Sequence, residues 1–196
     1  NEIFQMAVLE QMAERPRLVA LDSMALWIDI SAEALEQIIR KVDVLFLDET
    51  EVRTFTKHSN LVEAARQIMA MGPSAVVAKR GDHGVLLFHG DSIFSAPAFP
   101  LEHVIDPTGA GDSFAGGFMG YLAATGDLTT EGFKFATMVG SVMGSYAVES
   151  FSLERTASLT KDEIESRFRA LTDLTRFTSL GENESLPFQG GGAAHA

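Results

Sequence analysis

One stretch of the chain combines small residues with carboxylates in an order that suits chemistry on an anion. It runs from Asp106 to Asp112 (Asp-Pro-Thr-Gly-Ala-Gly-Asp) and leads into an apolar pattern of helical spacing. The backbone N–H groups of Gly109, Ala110 and Gly111 have no bulky side chain to shield them, and the helix that follows adds the positive end of its dipole. The pattern therefore predicts a loop that binds a phosphate group.

Asp112 stands at the end of this loop and requires a reason of its own, because a bound phosphate repels a carboxylate. The structural alternative is a glycine-rich turn whose acid merely caps the helix. A carboxylate beside a phosphate is more useful as a base that accepts the proton of an attacking hydroxyl group. We therefore predict that Asp112 is a catalytic base.

The stretch Asp106–Asp112 resembles the second signature of the ribokinase (PfkB) family of carbohydrate and nucleoside kinases, which reads D-T-x-G-A-G-D. In that family the last Asp is the catalytic base, and Thr108 falls among the expected nucleotide-binding residues together with the loop glycines. The Walker pattern G-x-x-x-x-G-K-[ST] has no match in the chain. The resemblance implies ATP-dependent phosphorylation of a hydroxymethyl group on a small sugar or nucleoside.

Three acids, Asp48, Glu49 and Glu51, follow a run of apolar residues that predicts a buried strand. Crowding them together would be costly unless a cation or solvent relieved the repulsion. One interpretation is a solvated helix N-terminus, where acids are favoured in any case. The other is a likeness to the family's N-x-x-E element, which implies that Glu51 organises Mg²⁺ and its waters, with Asp48 in the Asn position.

A basic pair, Lys79 and Arg80, ends another predicted strand and precedes Gly81. In the family the matching glycine lies against the nucleotide, so the resemblance implies a nucleotide-binding role for Gly81 and makes Lys79 a candidate neighbour of the phosphates. The alternative is a solvated basic pair without a function. The expected cofactors are ATP and Mg²⁺, with a monovalent cation such as K⁺ as a further candidate.

Strands alternate with helices along the chain, and the candidate residues follow the strands. Five short apolar runs predict strands, over 18–21, 44–47, 75–79, 85–88 and 91–96. Helix-spaced apolar residues separate most of them, and a later buried helix over 133–148 resembles the family segment that walls the adenine pocket. This order predicts a three-layer α/β/α fold with a mainly parallel central sheet, which the resemblance makes ribokinase-like, a Rossmann-like class.

The composition narrows the choice of partners. The chain of 196 residues has a formal net charge of −12, and such a surface repels phosphate backbones, so we expect no nucleic-acid partner. The longest apolar stretch, 133–148, is too short to cross a bilayer, which predicts no membrane partner. The chain has no cysteine, which excludes disulfides and fits a cytoplasmic location. The sequence leaves a homodimer open.

We expect residues 1–178 to form the C-terminal portion of a ribokinase-like kinase domain, without the N-terminal strands, Gly-Gly substrate element and β-lid of the family. The composition of 179–196 predicts a disordered tail or a vector-derived remnant. Such a chain alone would be a poor kinase, because little would hold the acceptor in line. The alternatives are a non-catalytic nucleotide-binding or assembly subunit with this fold and a phosphate-binding regulatory module.

Overall fold

The computed structural model describes residues 2–181 and 184–186. Its strands form one five-stranded sheet in the order β1 (Ala20–Asp22), β2 (Val44–Asp48), β3 (Ala75–Lys79), β4 (Val85–His89) and β5 (Ser92–Ala96). The first three strands are parallel, whereas β4 pairs antiparallel with both β3 and β5. The last residues of these three parallel strands therefore lie side by side at the same end of the sheet, the carboxyl end.

Helices cover both faces of this sheet. They are α1 (Glu2–Glu10), α2 (Ala25–Ile30), α3 (Ala32–Ile39), α4 (Glu49–Thr56), α5 (Leu61–Met69), α6 (Ala110–Thr125), α7 (Thr130–Ala147) and α8 (Lys161–Leu174), with short 3₁₀ turns at Gly81–His83 and Thr156–Ser158. One core joins the sheet to α3, α4 and α5, and a second core joins it to α6, α7 and α8. The predicted three-layer α/β/α architecture is confirmed.

Strand β2 shows why the strands are unbroken apolar runs in the sequence. Its side chains alternate between the two cores, with Leu45 and Leu47 on one face and Val44 and Phe46 on the other, and all four are buried. The Phe46 ring meets the Phe118 ring edge-on, with centroids 5.2 Å apart. Burying one such side chain contributes about 2 to 3 kcal/mol, so β2 anchors α6, the helix that follows the predicted phosphate loop.

Close packing of α6 on α7 depends on glycine at two positions. A Cβ atom at Gly117 would lie 2.7 Å from Met143 Cγ, and one at Gly140 would lie 2.9 Å from the Phe114 ring. The sequence pattern, with Gly116, Gly117 and Gly120 in one helix, predicts that all three permit close helix packing. Gly116 and Gly120 instead face open space, because they lie on the exposed side of α6.

One strand boundary differs slightly from the sequence prediction. The first strand begins at Ala20 and not at residue 18, since parallel pairing with β2 starts there, while the Val19 carbonyl accepts the amides of Asp43 and Val44. Most of the predicted tail, 179–196, lies outside the described residues. In the described part of the chain, every helix is too short or too polar to cross a bilayer.

Candidate active site

The predicted phosphate loop leads directly into helix α6. Gly109 precedes the helix with a φ of +79°, a left-handed conformation that glycine adopts without steric cost. The Thr108 amide donates a hydrogen bond of 2.9 Å to Asp106 Oδ1, which fixes the turn and lowers the pKa of Asp106. Asp112 is the third residue of α6 and has an exposed side chain.

The three loop amides are not equivalent. The Ala110 amide donates to the Pro107 carbonyl at 3.2 Å and is therefore engaged in the turn. Within the described part of the chain, the amides of Gly109 and Gly111 have no hydrogen-bond acceptor. Unpaired N–H groups at the start of a helix attract anions, so these two are the better candidates for a phosphate.

A cavity of about 500 Å³ opens on one side of the loop. Its walls come from the turn after β3, the segment after β5, the first turn of α6 and the small residues of α7, and include Gly81, Val85, Phe99, Leu101, Ala110, Gly111, Ser141, Gly144 and Ser145. Such a volume lies in the range that small-molecule sites occupy. Ser141, Gly144 and Ser145 of α7 line this cavity, whereas Gly140 packs on Phe114; an adenine pocket at this wall stays a prediction.

A smaller cavity of about 260 Å³ opens on the other side. It is lined by Asp22, Ser23, Met24, Trp27, Lys79, Gly109, Gly111 and Asp112. Lys79 and Gly111 line both cavities, so the two cavities adjoin at these residues, which we call the junction. Asp112 faces the smaller cavity, one residue from that junction.

Lys79 is paired with Asp22 and is not a solvated cation. Its ammonium group lies 2.7 Å from Asp22 Oδ2 and 2.9 Å from Oδ1. Burial raises the pKa of Asp22, the hydrogen bond from Lys79 opposes this, and the negative charge of Asp112 adds to the rise. Its neighbour Arg80 is also paired, 2.6 Å from Glu49 Oε2.

Of the three acids at the end of β2, two pair with each other and the third forms ion pairs with arginines. Asp48 and Glu51 form a capping box at the start of α4, in which the Asp48 amide donates to Glu51 Oε2 and the Glu51 amide donates to Asp48 Oδ1. Glu49 turns away to Arg53 and Arg80, which lower its pKa. Glu51 is buried, and burial raises its pKa, with the charge of Asp48 adding to the rise.

The residues fit Mg²⁺ as partners of its waters and not as a complete cage. In the ranges that the structure describes, no group of three acidic or histidine side chains is arranged to hold a metal. Asp48 and Glu51 each have a second carboxylate oxygen that the capping box does not use. Mg²⁺ usually keeps several waters and takes one or two carboxylates plus phosphate oxygens, which this pair suits.

Arg167 of helix α8 secures the wall of the larger cavity. Its guanidinium carbon lies 3.4 Å from the centre of the Tyr146 ring and 4.8 Å from that of the Phe99 ring. Its Nη1 donates to Ser145 Oγ at 3.1 Å. Because Phe99 and Ser145 line the cavity, this side chain ties two parts of the wall together.

Sequence reasoning missed part of both cavities. The segment Phe99–Leu101 carries no motif, and a lone tryptophan such as Trp27 is more often a core or rim residue than part of a site, yet both line a cavity. Asp22 and Ser23 had one signal, their place at the end of a buried strand. His103, which precedes Asp106 by three residues and is therefore expected near the site, is absent from the described lining of either cavity.

Comparison with known proteins places the chain in a family. The profile of the pfkB family carbohydrate kinases matches residues 7–154. A cytidine kinase of Thermococcus kodakarensis is 40% identical over 89 residues, which are 44% of this chain and 32% of that protein. A nucleoside kinase of Methanothermobacter thermautotrophicus is 37% identical over 112 residues, 57% of this chain and 34% of that protein.

Solved structures agree on the fold. The aminoimidazole riboside kinase of Salmonella enterica, complexed with aminoimidazole riboside and an ATP analog, superposes with a TM-score of 0.67 at 22% identity, covering 78% of this chain and 52% of that one. A fructokinase of Vibrio cholerae O395 in its fructose, ADP and calcium ion bound form gives 0.72 at 22% identity, with 82% and 54% covered. The chain thus spans about a third of these curated relatives and about half of these structures. It belongs to the pfkB family of carbohydrate kinases.

Proposed function

We propose that residues 1–178 carry the nucleotide and base half of an ATP-dependent kinase that phosphorylates a hydroxymethyl group of a small nucleoside or sugar. The observation that carries the proposal is the meeting of two cavities at Gly111, with the exposed carboxylate of Asp112 in the smaller one. A donor in the larger cavity and an acceptor in the smaller one would have their reacting ends at this junction. When bound, ATP supplies the phosphoryl group.

Asp112 acts as the base in this proposal. Its carboxylate accepts the proton of the acceptor hydroxyl as that oxygen forms its bond to the γ-phosphorus, and the bond from the γ-phosphorus to the bridging oxygen of ADP breaks. The exposed carboxylate borders the smaller cavity beside the loop, where it has access to such a hydroxyl. A positioned base of this kind contributes roughly 10² to 10⁴ in rate.

The loop and Lys79 stabilise negative charge on the transferring group. The amides of Gly109 and Gly111, which have no acceptor within the described residues, and the positive end of α6 would act on this charge, whereas the engaged Ala110 amide contributes less. Thr108 and Gly81 are further proposed nucleotide contacts. Asp48 and Glu51 orient the waters of Mg²⁺, and the monovalent cation stays a prediction.

The relatives favour a nucleoside as the acceptor. Cytidine kinase and nucleoside kinase are the names of the two relatives described above, and each is at least 37% identical over its matched segment. The smaller cavity also offers the indole of Trp27 and the thioether of Met24, which suit a flat or apolar face of an acceptor. A sugar is the second choice.

The test is an acceptor panel. The protein in its natural length is incubated with ATP and Mg²⁺ and with individual nucleosides, pentoses and hexoses, while ADP release and the mass of the acceptor are followed. We expect one acceptor class to raise ADP release and to gain the mass of one phosphate group. Nucleotide binding without turnover on any acceptor would favour the non-catalytic subunit, and loss of both would contradict the assignment.

A further inference from the structure

The position and the charge of Lys79 set it apart from the other described residues that line the site. Of the described residues that line the two cavities, it is the only one with a cationic side chain, and it lines both of them. It ends strand β3 opposite Asp48 of β2, so the sheet fixes its backbone. In the proposed reaction, the ammonium group of Lys79 would lie beside the phosphoryl group as it is transferred between the two cavities.

Asp22 and Gly111 confine the ammonium group from two sides. Both carboxylate oxygens of Asp22 accept hydrogen bonds from the ammonium group of Lys79. The two side chains are mostly buried, with exposed fractions of 21% for Lys79 and 24% for Asp22. On the loop side, the place that a Cβ atom would take on Gly111 lies 3.0 Å from Lys79 Nζ. Glycine at this position thus lets the ammonium group approach the loop backbone.

Other carboxylates would compete for the same ammonium group. Asp112 lines the smaller cavity with Lys79, and its charge already acts on Asp22. The charge of Lys79 also acts on Glu51, whose pKa it lowers against the larger effect of burial. Without Asp22, Asp112 is a described carboxylate of the same cavity that could attract Lys79, and this pairing would engage the base.

We infer that Asp22 is a positioning residue, which holds the ammonium group of Lys79 at the junction of the two cavities and keeps it from pairing with the base Asp112. This inference rests on the proposed function. It gives Asp22 opposite effects on binding and on turnover. Asp22 partly neutralises the cation that attracts the phosphates of a resting nucleotide, yet it fixes that cation where charge develops during transfer.

The test is a double-mutant cycle on Asp22 and Lys79 with two readouts, ADP affinity by calorimetry and kcat. We expect Asp22→Asn to tighten ADP binding roughly two- to fivefold, as removal of a partly exposed negative charge allows. The same change should lower kcat about ten- to a hundredfold, since a misplaced group costs that much. Lys79→Met should weaken ADP binding and lower kcat, and Asp22→Asn added to Lys79→Met should change neither further.

Two further variants separate positioning from folding. Asp22→Glu keeps the charge, so we expect ADP affinity near that of the wild type and a kcat between those of the wild type and Asp22→Asn. Asp43→Asn removes an acid from another ion pair, that with Arg15, outside both cavities. Asp43→Asn should lower the melting temperature, but it should not raise ADP affinity while lowering kcat.

The outcomes are distinct. Weaker ADP binding in Asp22→Asn, an unchanged kcat, or additive effects with Lys79→Met would each overturn the inference. Absence of phosphoryl transfer by the wild type in the acceptor panel would instead contradict the proposed function. The ADP cycle would then still report whether Asp22 restrains Lys79 toward phosphate, because calorimetry does not depend on turnover.

Discussion

Asp48 and Glu51 exchange hydrogen bonds across the first turn of α4. The carboxylate of each residue accepts a hydrogen bond from the backbone amide of the other, at 2.7 to 2.8 Å. The two carboxylates that we propose as partners of hydrated Mg²⁺ are therefore also the cap of a helix. The capping box fixes the positions of both carboxylates and leaves one oxygen of each carboxylate for other partners. A substitution here has to separate an effect on the metal from an effect on the helix.

Glu51→Gln provides that separation. Glutamine still accepts the Asp48 amide, so the cap is kept while the charge is lost. Because burial raises the pKa of Glu51, the neutral side chain suits the folded state, and the melting temperature at pH 7 should stay equal or rise. We expect the Mg²⁺ concentration for half-maximal activity to rise roughly tenfold or more.

The measurement is a Mg²⁺ titration of activity, with ADP affinity determined in parallel. Asp48→Asn should have a milder effect, since asparagine is the usual residue of the family's N-x-x-E element. Titration curves that superpose for wild type and Glu51→Gln would remove Glu51 from the proposed metal site.

Gly84 should tolerate no side chain. Its φ is +83°, and a Cβ atom would lie 2.2 Å from the Ala96 carbonyl oxygen, which belongs to the backbone of β5. We expect Gly84→Ala to lower the free energy of unfolding by at least about 2 kcal/mol. Gly90→Ala is the control, because Gly90 has a φ of +54° but open space around it, and it should cost about 1 kcal/mol.

Urea denaturation of both variants gives the two free energies. Equal losses would show that the backbone conformation alone matters at Gly84 and that the contact with β5 does not.

The sequence predicted the layers of this fold because its strands are buried on both faces and its helices carry one apolar stripe. It also predicted that Asp48 and Lys79 follow strands and that Asp112 ends the glycine-rich loop, so these three residues were candidates from the sequence alone. What it did not contain was the pairing of Asp22 with Lys79, which are 57 residues apart. That contact requires the order of the strands in the sheet, which local patterns do not specify.

The same limit applies to the cavity walls. Phe99 lies in a segment without helix or strand, and Arg167 lies in helix α8, far from Phe99 along the chain. They meet only because α8 packs on α7 and places Arg167 over Tyr146. No local spacing in the sequence indicates such a contact between distant segments.

Glu163 should make stability depend on pH in the acid range. The amide and hydroxyl of Thr160, together with Arg155, lower its pKa from 4.5 to about 2. A carboxyl whose pKa is lower in the folded state stabilises the fold above its unfolded pKa, and that contribution is lost as the pH falls from 4.5 toward 2. Glu163→Gln should therefore lower the melting temperature at pH 6 but much less at pH 3.

Thermal unfolding of wild type and Glu163→Gln from pH 7 to pH 3 checks this. Glu154→Gln is the control, because the exposed side chain of Glu154 has no ion pair or hydrogen bond within the described residues. A difference between wild type and Glu163→Gln that is constant with pH would contradict the role of ionised Glu163.

The central claim is that Asp112 is the base, and single-turnover transfer of the γ-phosphoryl group to the acceptor by Asp112→Asn tests it most directly. Asp162→Asn is the matched control, since Asp162 is also an exposed acid in the first turn of a helix but lies outside both cavities. We predict that Asp112→Asn slows transfer by roughly 10² to 10⁴ while ATP binds as well as before or slightly better, and that Asp162→Asn transfers at the wild-type rate. Transfer by Asp112→Asn within a few-fold of the wild type would contradict the account.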